Sequence, residues 1–495
     1  MAQRLIPALA LAAGALLWSV GSALAAPPVL KQISSDPFTN TTAIDGVDVF
    51  HQTEVEPDTF AFGSTIVSTF QVGRFHNGGA SDIGFATSTN GGASFKHGFL
   101  PGLTFQVDPS SPFERVSDAS VAFDAKHGVW MISSIPLTAG LVVPTVFISR
   151  STDGGLTWNN PVSIPPPSGP VNLDKNWTVC DNTPTSPGYG NCYTEVDNFA
   201  QFDLELLSTS TDGGLTWTPP QPTPTHAHGL GGQPLVQPSG TVVVPFEGID
   251  GNATISAFNA TFDPLTGLTT LSNAVQIAQI AFHRVAGNLR TSPLPTAEID
   301  GAGRVYVAWE DCRFEPGCAA NDIVLSSSRD GVSWSAPVGV PIDPVGSGAD
   351  HFIPGLAVDK ATSGPGAHLG LTYYFYPDAT CASGCQLEAA FISSADGGAN
   401  WGGKVQLAGP MSLGWLAFTT QGFMVGDYIS TSFLNGLAFP ALAVATAGTP
   451  TQNLDEAMFT TSSGLAAGGG STPAIGAAAA ISSSSQTFVV GPLSR

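Results

Sequence analysis

The chain has 495 residues, of which 42% are hydrophobic and only 11% are charged, so it can bury a large core and is not a disordered protein. Its 57 glycines and 39 prolines indicate many turns and favour an all-β protein over a helical one. The 16 basic and 38 acidic residues leave a net charge of −22, which argues against nucleic acid and anionic membrane surfaces as partners.

Residues 1–25 have the features of an export signal. Arg4 precedes an apolar stretch over residues 5–20, and Ala23-Leu24-Ala25 has the small-residue pattern of a cleavage site. We expect cleavage after Ala25 to release a secreted or periplasmic protein with no membrane-spanning segment, and the alternative is an uncleaved anchor. Residues 26–53 follow as an N-terminal segment that contains one predicted strand, Val29 to Ser34.

A short motif then recurs five times between residues 54 and 461. Its first serine returns at spacings of 63, 59, 118 and 66 residues. In each copy an Asp or Asn can accept hydrogen bonds from the amides that follow, glycine can take a positive φ, and an aromatic residue can pack under the turn. The residues that we expect to build these turns are Ser88, Asn90, Ser151, Asp153, Trp158, Ser210, Asp212, Trp217, Ser328, Asp330, Trp334, Ser394, Asp396 and Trp401.

Each motif lies in a unit of about 60 residues that holds four short strand patterns. The units begin near residues 54, 115, 174, 231, 289, 351 and 415, the fourth lacks the motif, and the seventh shows only three strands. The predicted strand at Val29 to Ser34 can supply the missing one and close the ring. The pattern therefore predicts a single β-propeller over residues 54–461, with seven blades favoured over six. The Gly-, Ala- and Ser-rich residues 462–495 are predicted to form a flexible tail.

The cysteines fall as three close pairs, each within one predicted loop. Local pairing is the simplest of the possible connectivities, and it suits an oxidising compartment. No histidine lies beside a pair and no CxxC occurs, which disfavours a metal site. The predicted disulfides join Cys180 to Cys192, Cys312 to Cys318, and Cys381 to Cys385.

Strand parity predicts which loops share a face. The motifs all lie between third and fourth strands, so binding is expected on the opposite face, where we also expect the loops with the cysteine pairs. In so acidic a chain, arginines gathered on that face would point to an anionic ligand, although each could instead pair with a nearby acid such as Glu310, Asp311 or Asp118. The arginines predicted to reach that face are Arg74, Arg115, Arg290 and Arg313.

The S-x-D-x-G-x-x-W segments resemble the Asp-box, or BNR repeat, of the sialidase superfamily, over about residues 54–461. The resemblance implies a secreted glycoside hydrolase, an exo-α-sialidase, that removes terminal sialic acids, although characterised sialidases have six blades. It also implies arginines that grip a substrate carboxylate, a Tyr nucleophile assisted by a Glu, and an Asp that acts as acid and base. The candidates for the last three roles are Tyr428, Glu247 and Asp118, with Tyr376 and Glu195 as rivals.

Two other functions stay open at this point. One is a non-catalytic propeller that binds glycans or proteins at the cell envelope, and the other is a different polysaccharide-active enzyme on the same scaffold. We expect a carbohydrate partner, a monomer and no cofactor or metal. The minor alternative is Ca²⁺ held by the top-face acids Asp174, Asp197, Asp350 and Asp378.

Overall fold

The computed structural model describes residues 27–449 and 453–468 and the backbone of residues 481–482. This part of the chain is all-β, and its helical segments are four single 3₁₀ turns, at Phe199–Gln201, Pro316–Cys318, Gly364–Gly366 and Leu413–Trp415. No helix within it is long and apolar enough to cross a membrane. The predicted signal segment and most of the predicted tail lie outside the described residues.

The strands follow one another mostly as antiparallel neighbours. The N-terminal segment and the first two units contain β1 (Leu30–Gln32), β2 (Val49–Phe62), β3 (Thr65–Phe75), β4 (Ala80–Ser88), β5 (Lys96–Phe99), β6 (Arg115–Asp124), β7 (Val129–Leu137), β8 (Phe147–Ser151) and β9 (Val162–Ser163). The third and fourth units contain β10 (Leu173–Cys180), β11 (Cys192–Asn198), β12 (Leu204–Ser210), β13 (Gln221–Pro222), β14 (Gly229–Leu230), β15 (Leu235–Val236), β16 (Thr241–Gly248), β17 (Thr254–Asp263), β18 (Leu268–Leu271) and β19 (Val275–Gln279).

The remaining strands complete the chain in the same manner. The fifth and sixth units contain β20 (Thr296–Ile299), β21 (Val305–Asp311), β22 (Asp322–Ser328), β23 (Val338–Gly339), β24 (Asp350–Val358), β25 (Leu369–Tyr376), β26 (Gln386–Ser394) and β27 (Val405–Ser412). The last unit and the segment after it contain β28 (Ala417–Thr419), β29 (Gly422–Met424), β30 (Ser430–Leu434), β31 (Leu437–Ala445), β32 (Glu456–Thr461), β33 (Leu465–Ala466) and β34 (Ile481–Ser482).

The strand pairings follow the units read from the sequence. The strands β10–β13, β20–β23 and β24–β27 form three separate four-stranded sheets, and β14–β19 form one sheet of six strands. Most strands of the first, second and last units belong to one fourteen-stranded sheet, because single bridges link Ala80 to Val116 and Thr53 to Glu456. The strands β28 and β29 form a separate two-stranded sheet. The N-terminal strand β1 pairs antiparallel with β32, with Leu30 opposite Thr461, and so adds a fourth strand to β30–β32.

The recurring motif forms a turn that its own side chains hold together. In the second copy the Ser151 hydroxyl donates to Asp153 Oδ1 at 2.8 Å. The same oxygen accepts hydrogen bonds from the backbone amides of Leu156 and Thr157, at 3.1 and 3.0 Å. The other copies centre in the same way on Asn90, Asp212, Asp330 and Asp396.

Each motif also packs against the unit before it. Gly155 (φ 80°) has no room for a side chain, because a Cβ there would lie 2.8 Å from Val67 Cγ2 of the first unit. In the first motif a Cβ on Gly92 (φ 86°) would lie 2.5 Å from Phe439 Cε1, on β31 of the last unit. The first and last units are therefore in contact. The remaining motif contacts are Gly214 on Met131, Gly331 on Val243, and Gly398 on Leu325.

The first strands of the units contribute to the lining of one narrow cavity of about 50 Å³. Residues of β2, β6, β10, β15, β20, β24 and β30 line it. Side chains link neighbouring first strands, since Asp58 accepts from the Val121 amide at 2.7 Å and Thr296 accepts from the Leu356 amide at 3.1 Å. A wider cavity of about 410 Å³ shares Phe60 and other lining residues with the narrow one.

The six cysteines form the three local disulfides that the sequence favours, and the described residues contain no free cysteine. Such bridges are compatible with an extracellular or periplasmic protein. The bridges Cys312–Cys318 and Cys381–Cys385 lie between second and third strands, on the face opposite the motifs. The expectation that all three pairs share that face is wrong, because Cys180–Cys192 joins the end of a first strand to the start of a second strand.

Candidate functional site

Four of the first strands contain a β-bulge at an equivalent level. Register shifts in β2, β6, β10 and β24 accompany residues in the left-handed backbone region: Glu56 (φ 55°), Asp118 (φ 51°), Lys175 (φ 28°) and Ile353 (φ 49°). A bulge bends its strand and changes the direction of a side chain. Non-glycine residues rarely adopt this conformation, and they cluster at functional sites.

The three charged bulge residues line one cavity of about 570 Å³, a volume within the range of small-molecule sites. Its charged lining residues are Glu56, Arg74, Asp118, Asp174, Lys175, Asp203, Arg290 and Asp427. Its apolar lining residues are Ile135, Leu137, Leu141, Val143, Leu173, Phe199, Leu230 and Leu294. The cavity therefore has both a strongly charged and an apolar lining.

Arg290 and Asp427 form a bidentate ion pair in this cavity. Arg290 Nε donates to Asp427 Oδ1 at 2.7 Å, and Nη2 donates to the other carboxylate oxygen. Burial favours the neutral carboxyl, but the Arg290 charge and its hydrogen bonds outweigh burial and hold the pKa of Asp427 below its usual value. Asp427 is thus a carboxylate that fixes the direction of the guanidinium.

Arg74 lies beside this pair but makes no comparable bond to a carboxylate. Its Nη1 donates to Gln71 Oε1 at 2.7 Å and to the Gly79 carbonyl at 3.2 Å. Its Nε is buried and has no hydrogen-bond partner within the described chain. A buried donor without a partner is costly, so an acceptor supplied by a ligand would be favourable here.

Two acids of the cavity, Glu56 and Asp174, have raised pKa values that favour the protonated form. Burial, followed by the negative charges of Asp118 and Asp427, raises the pKa of Glu56 to about 8. The pKa of Asp174 is also raised, mainly because the surrounding protein displaces water, and the negative charge of Asp118 raises it further. The Asp174 side chain is exposed in the cavity, so water moderates the rise of its pKa.

Lys175 lies over aromatic rings at the edge of the cavity. Its Nζ is 3.6 Å from the ring centroid of Tyr428 and 4.4 Å from that of Trp177. The buried Nζ and the buried Tyr428 hydroxyl have no hydrogen-bond partner among the residues described. Burial, and then the charges of Glu56 and Asp118, raise the pKa of Tyr428 well above its usual value, so the phenol keeps its proton.

The structure brings together three of the predicted site residues, since Arg74, Arg290 and Asp118 all line the cavity. Arg115 lies behind the lining: its Nη2 pairs with Asp45 at 2.7 Å, and its Nη1 donates to Asn77, which does line the cavity. Tyr428 is not among the lining residues.

The other predicted arginine and carboxylates lie outside this group. Arg313 pairs with Asp311 at 2.6 Å in the loop of the second disulfide and does not line the cavity. Glu247 accepts a hydrogen bond from the Ser292 hydroxyl at 3.2 Å, and of these two only Ser292 lines the cavity. The rival Glu195 is buried, and the charge of Glu205 is the largest effect on its raised pKa after burial.

The alternative calcium ligands are not gathered at one place. Asp174 and Asp197 lie opposite each other on β10 and β11, whereas Asp350 accepts hydrogen bonds from Asn321 and Asp378 accepts them from Thr380. The described residues contain no group of three or more His, Cys, Asp or Glu side chains arranged to hold a metal ion.

Sequence reasoning did not single out Glu56, Lys175 or Asp427 as cavity residues. A signal was present, because a charged residue follows the start of each of the first three units by one to three positions: Glu56, Asp118 and Lys175. These charged residues at equivalent positions of successive units indicate equivalent bulges that line one site.

No family model matches this chain, and no curated protein matches it. A protein of unknown function from Dyadobacter fermentans is 15% identical, over 74% of this chain and 98% of that one, with a TM-score of 0.47. A Hadza microbial sialidase is 14% identical over 83% of this chain and 65% of its own, with a TM-score of 0.42. A polysaccharide lyase, an ulvan lyase, is 10% identical over 88% and 96%, with a TM-score of 0.48.

Proposed function

We propose that this protein is a secreted or periplasmic, sialidase-like glycoside hydrolase that cleaves the bond beside a terminal acidic sugar, such as a sialic acid. The observation that carries the proposal is the meeting of Arg74 and Arg290 with several carboxyl groups in one cavity of about 570 Å³. Guanidinium groups suit the carboxylate of an acidic sugar, and paired carboxyl groups suit the cleavage of a glycosidic bond.

Arg74 favours an anionic substrate in this cavity. With Glu56 and Asp174 protonated, three cations (Arg74, Lys175 and Arg290) face the carboxylates of Asp118, Asp203 and Asp427, so these charges balance. Arg74 offers the donor without a partner, and Arg290 is held in place by Asp427. A substrate carboxylate at Arg74 would therefore gain charge-assisted hydrogen bonds without breaking the Arg290 ion pair.

Asp174 is the proposed general acid, because it is exposed in the cavity and its raised pKa keeps a proton available. It gives this proton to the glycosidic oxygen as the bond to the sugar breaks. Asp118, the acid predicted from the sequence, is the proposed carboxylate partner that stabilises the positively charged sugar or activates water. The protonated, enclosed state of Tyr428 favours this carboxylate pair over a Tyr nucleophile.

The proposed scaffold is a seven-bladed β-propeller whose ring closes between the first and last units. Three observations support it: seven first strands line one narrow cavity, Gly92 packs against Phe439, and β1 pairs with β32. In such a ring the 570 Å³ cavity lies at one end of the central channel. We further propose that the protein acts as a monomer on carbohydrate.

Turnover of a fluorogenic sialoside and a fluorogenic glucuronide by the purified chain tests the proposed function. We expect release of the fluorophore from at least one of them between pH 4 and 8. Asp174→Asn should lower kcat by about 100-fold or more, as loss of a general acid does. Arg313→Ala should leave kcat/KM unchanged, because Arg313 does not line the cavity.

The same assay separates the alternatives. Loss of turnover in Tyr428→Phe with full activity in Asp174→Asn would restore the Tyr nucleophile and overturn the carboxylate pair. Absence of turnover together with retained binding of acidic sugars would overturn the hydrolase and favour the non-catalytic binding propeller.

A further inference from the structure

Two phenylalanines in the turn that follows β11 are exposed to solvent. Phe199 is 62% exposed and Phe202 is 82% exposed. A single exposed apolar side chain is ordinary. Two in one tight turn beside the cavity form a local apolar surface of the kind that marks a binding site. Phe199 lines the cavity of about 570 Å³, and Phe202 does not.

The turn that carries them is fixed by hydrogen bonds. The Phe202 amide donates to the Phe199 carbonyl at 3.2 Å. The Gln201 side chain donates to the carbonyls of Ser168 and Pro170, each at 3.0 Å, and the Asn198 side chain donates to Pro170 at 2.9 Å. Phe199 is therefore presented on an ordered backbone, which keeps the entropic cost of packing a ligand against it low.

Phe199 belongs to the apolar lining of the cavity, together with Leu141, Leu230 and Leu294, whereas the arginines belong to the charged lining. A sugar ring carries hydroxyl groups around its edge and C–H groups on its faces. Its edge can bond to the charged groups while a face of the same or the next ring packs on an aromatic side chain.

We infer that Phe199 is the platform of a second sugar subsite, so that the substrate is an acidic oligosaccharide or polysaccharide chain. The inference rests on the proposed function, because it takes the terminal acidic unit to lie at Arg74 and Arg290. The adjoining sugar then packs its face on Phe199 at the rim. A substrate with a small leaving group would leave this surface in water.

Calorimetric titration with sugars of increasing length tests the inference. The probes are N-acetylneuraminic acid and galacturonic acid, each with its dimer and tetramer, added to the full chain carrying Asp174→Asn so that cleavage is suppressed. Oligomers should bind about fivefold or more tightly than the monomer of at least one series. Adding Phe199→Ala should remove most of this gain and leave the affinity for the monomer unchanged, as expected for one aromatic contact.

Two matched variants control for effects on folding. Phe202→Ala removes a more exposed ring from the same turn and should leave every affinity unchanged, and Phe199→Trp should keep the gain with chain length. Equal affinity for monomers and oligomers, or an equal loss with Phe202→Ala, would overturn the platform while leaving the proposed function intact. Binding of no acidic sugar at all would overturn the proposed function and the platform together.

Discussion

The contact between the first motif and the last unit can be tested with one methyl group. Gly92→Ala places a Cβ 2.5 Å from Phe439 Cε1, and the neighbouring Gly91→Ala places one where no heavy atom lies within 4 Å. Both glycines have a positive φ, 86° and 74°, so both substitutions carry the backbone cost of a left-handed alanine, about 1–2 kcal/mol. Only Gly92→Ala adds the overpacking of a tight contact, about 1–3 kcal/mol.

Urea unfolding followed by tryptophan fluorescence measures both variants at a shared m-value. We expect Gly92→Ala to lower the free energy of unfolding by about 2 kcal/mol more than Gly91→Ala. In a Phe439→Leu background this excess should shrink, because leucine lacks the ring atoms that meet the new Cβ.

Equal losses for Gly91→Ala and Gly92→Ala would refute the contact between the first and last units, and with it a main support for the closed ring. An excess that Phe439→Leu leaves unchanged would place the clash on another residue and refute the contact in the same way.

Two further predictions concern stability. Glu56 and Asp58 have a pKa of about 8 and about 7 in the fold, mainly because burial favours the neutral form, whereas unfolded carboxyl groups have a pKa of about 4. The folded state therefore binds more protons than the unfolded state, and we expect the urea midpoint to fall as pH rises from about 4 to about 8, with a shallower fall in Glu56→Gln. A midpoint that rises over this window would contradict the argument. Asp153→Ala should cost about 1–2 kcal/mol, because it removes the acceptor of the turn amides, and Asp153→Asn should cost less, since Asn90 fills the same role in the first motif. Equal urea midpoints for these two variants would show that the carboxamide cannot replace the carboxylate.

The turns could be predicted because their chemistry is local. The hydrogen bonds of the turn join Ser151, Asp153 and the amides that follow within seven residues. The same short pattern therefore forms the same turn wherever it occurs. Local backbone rules also explain where the first strand of the fifth unit begins. That unit starts near residue 289, but its strand begins only at Thr296, because Pro293 and Pro295 have no N–H to donate to a neighbouring strand.

The composition of the cavity was harder to predict because it depends on register and on distant partners. One additional residue in β2 decides whether Glu56 faces the cavity or a neighbouring sheet, and strand parity alone does not contain that residue. Arg115 lies at the start of β6 as expected, but its guanidinium forms an ion pair with Asp45 of the N-terminal segment. A backbone bulge decided the first outcome, and a side chain from a distant segment decided the second.

The packing of the first motif against the last unit also affects how the chain folds. The contact between Gly92 and Phe439 and the pairing of β1 with β32 join regions separated by most of the chain. Long loops close slowly, so these contacts should be among the last to form, after the intermediate sheets. Until then β32 offers an unpaired edge to any other chain. We therefore expect the folding chain to be most prone to aggregation just before the ring is complete, and the pairing of β1 with β32 to end that exposure.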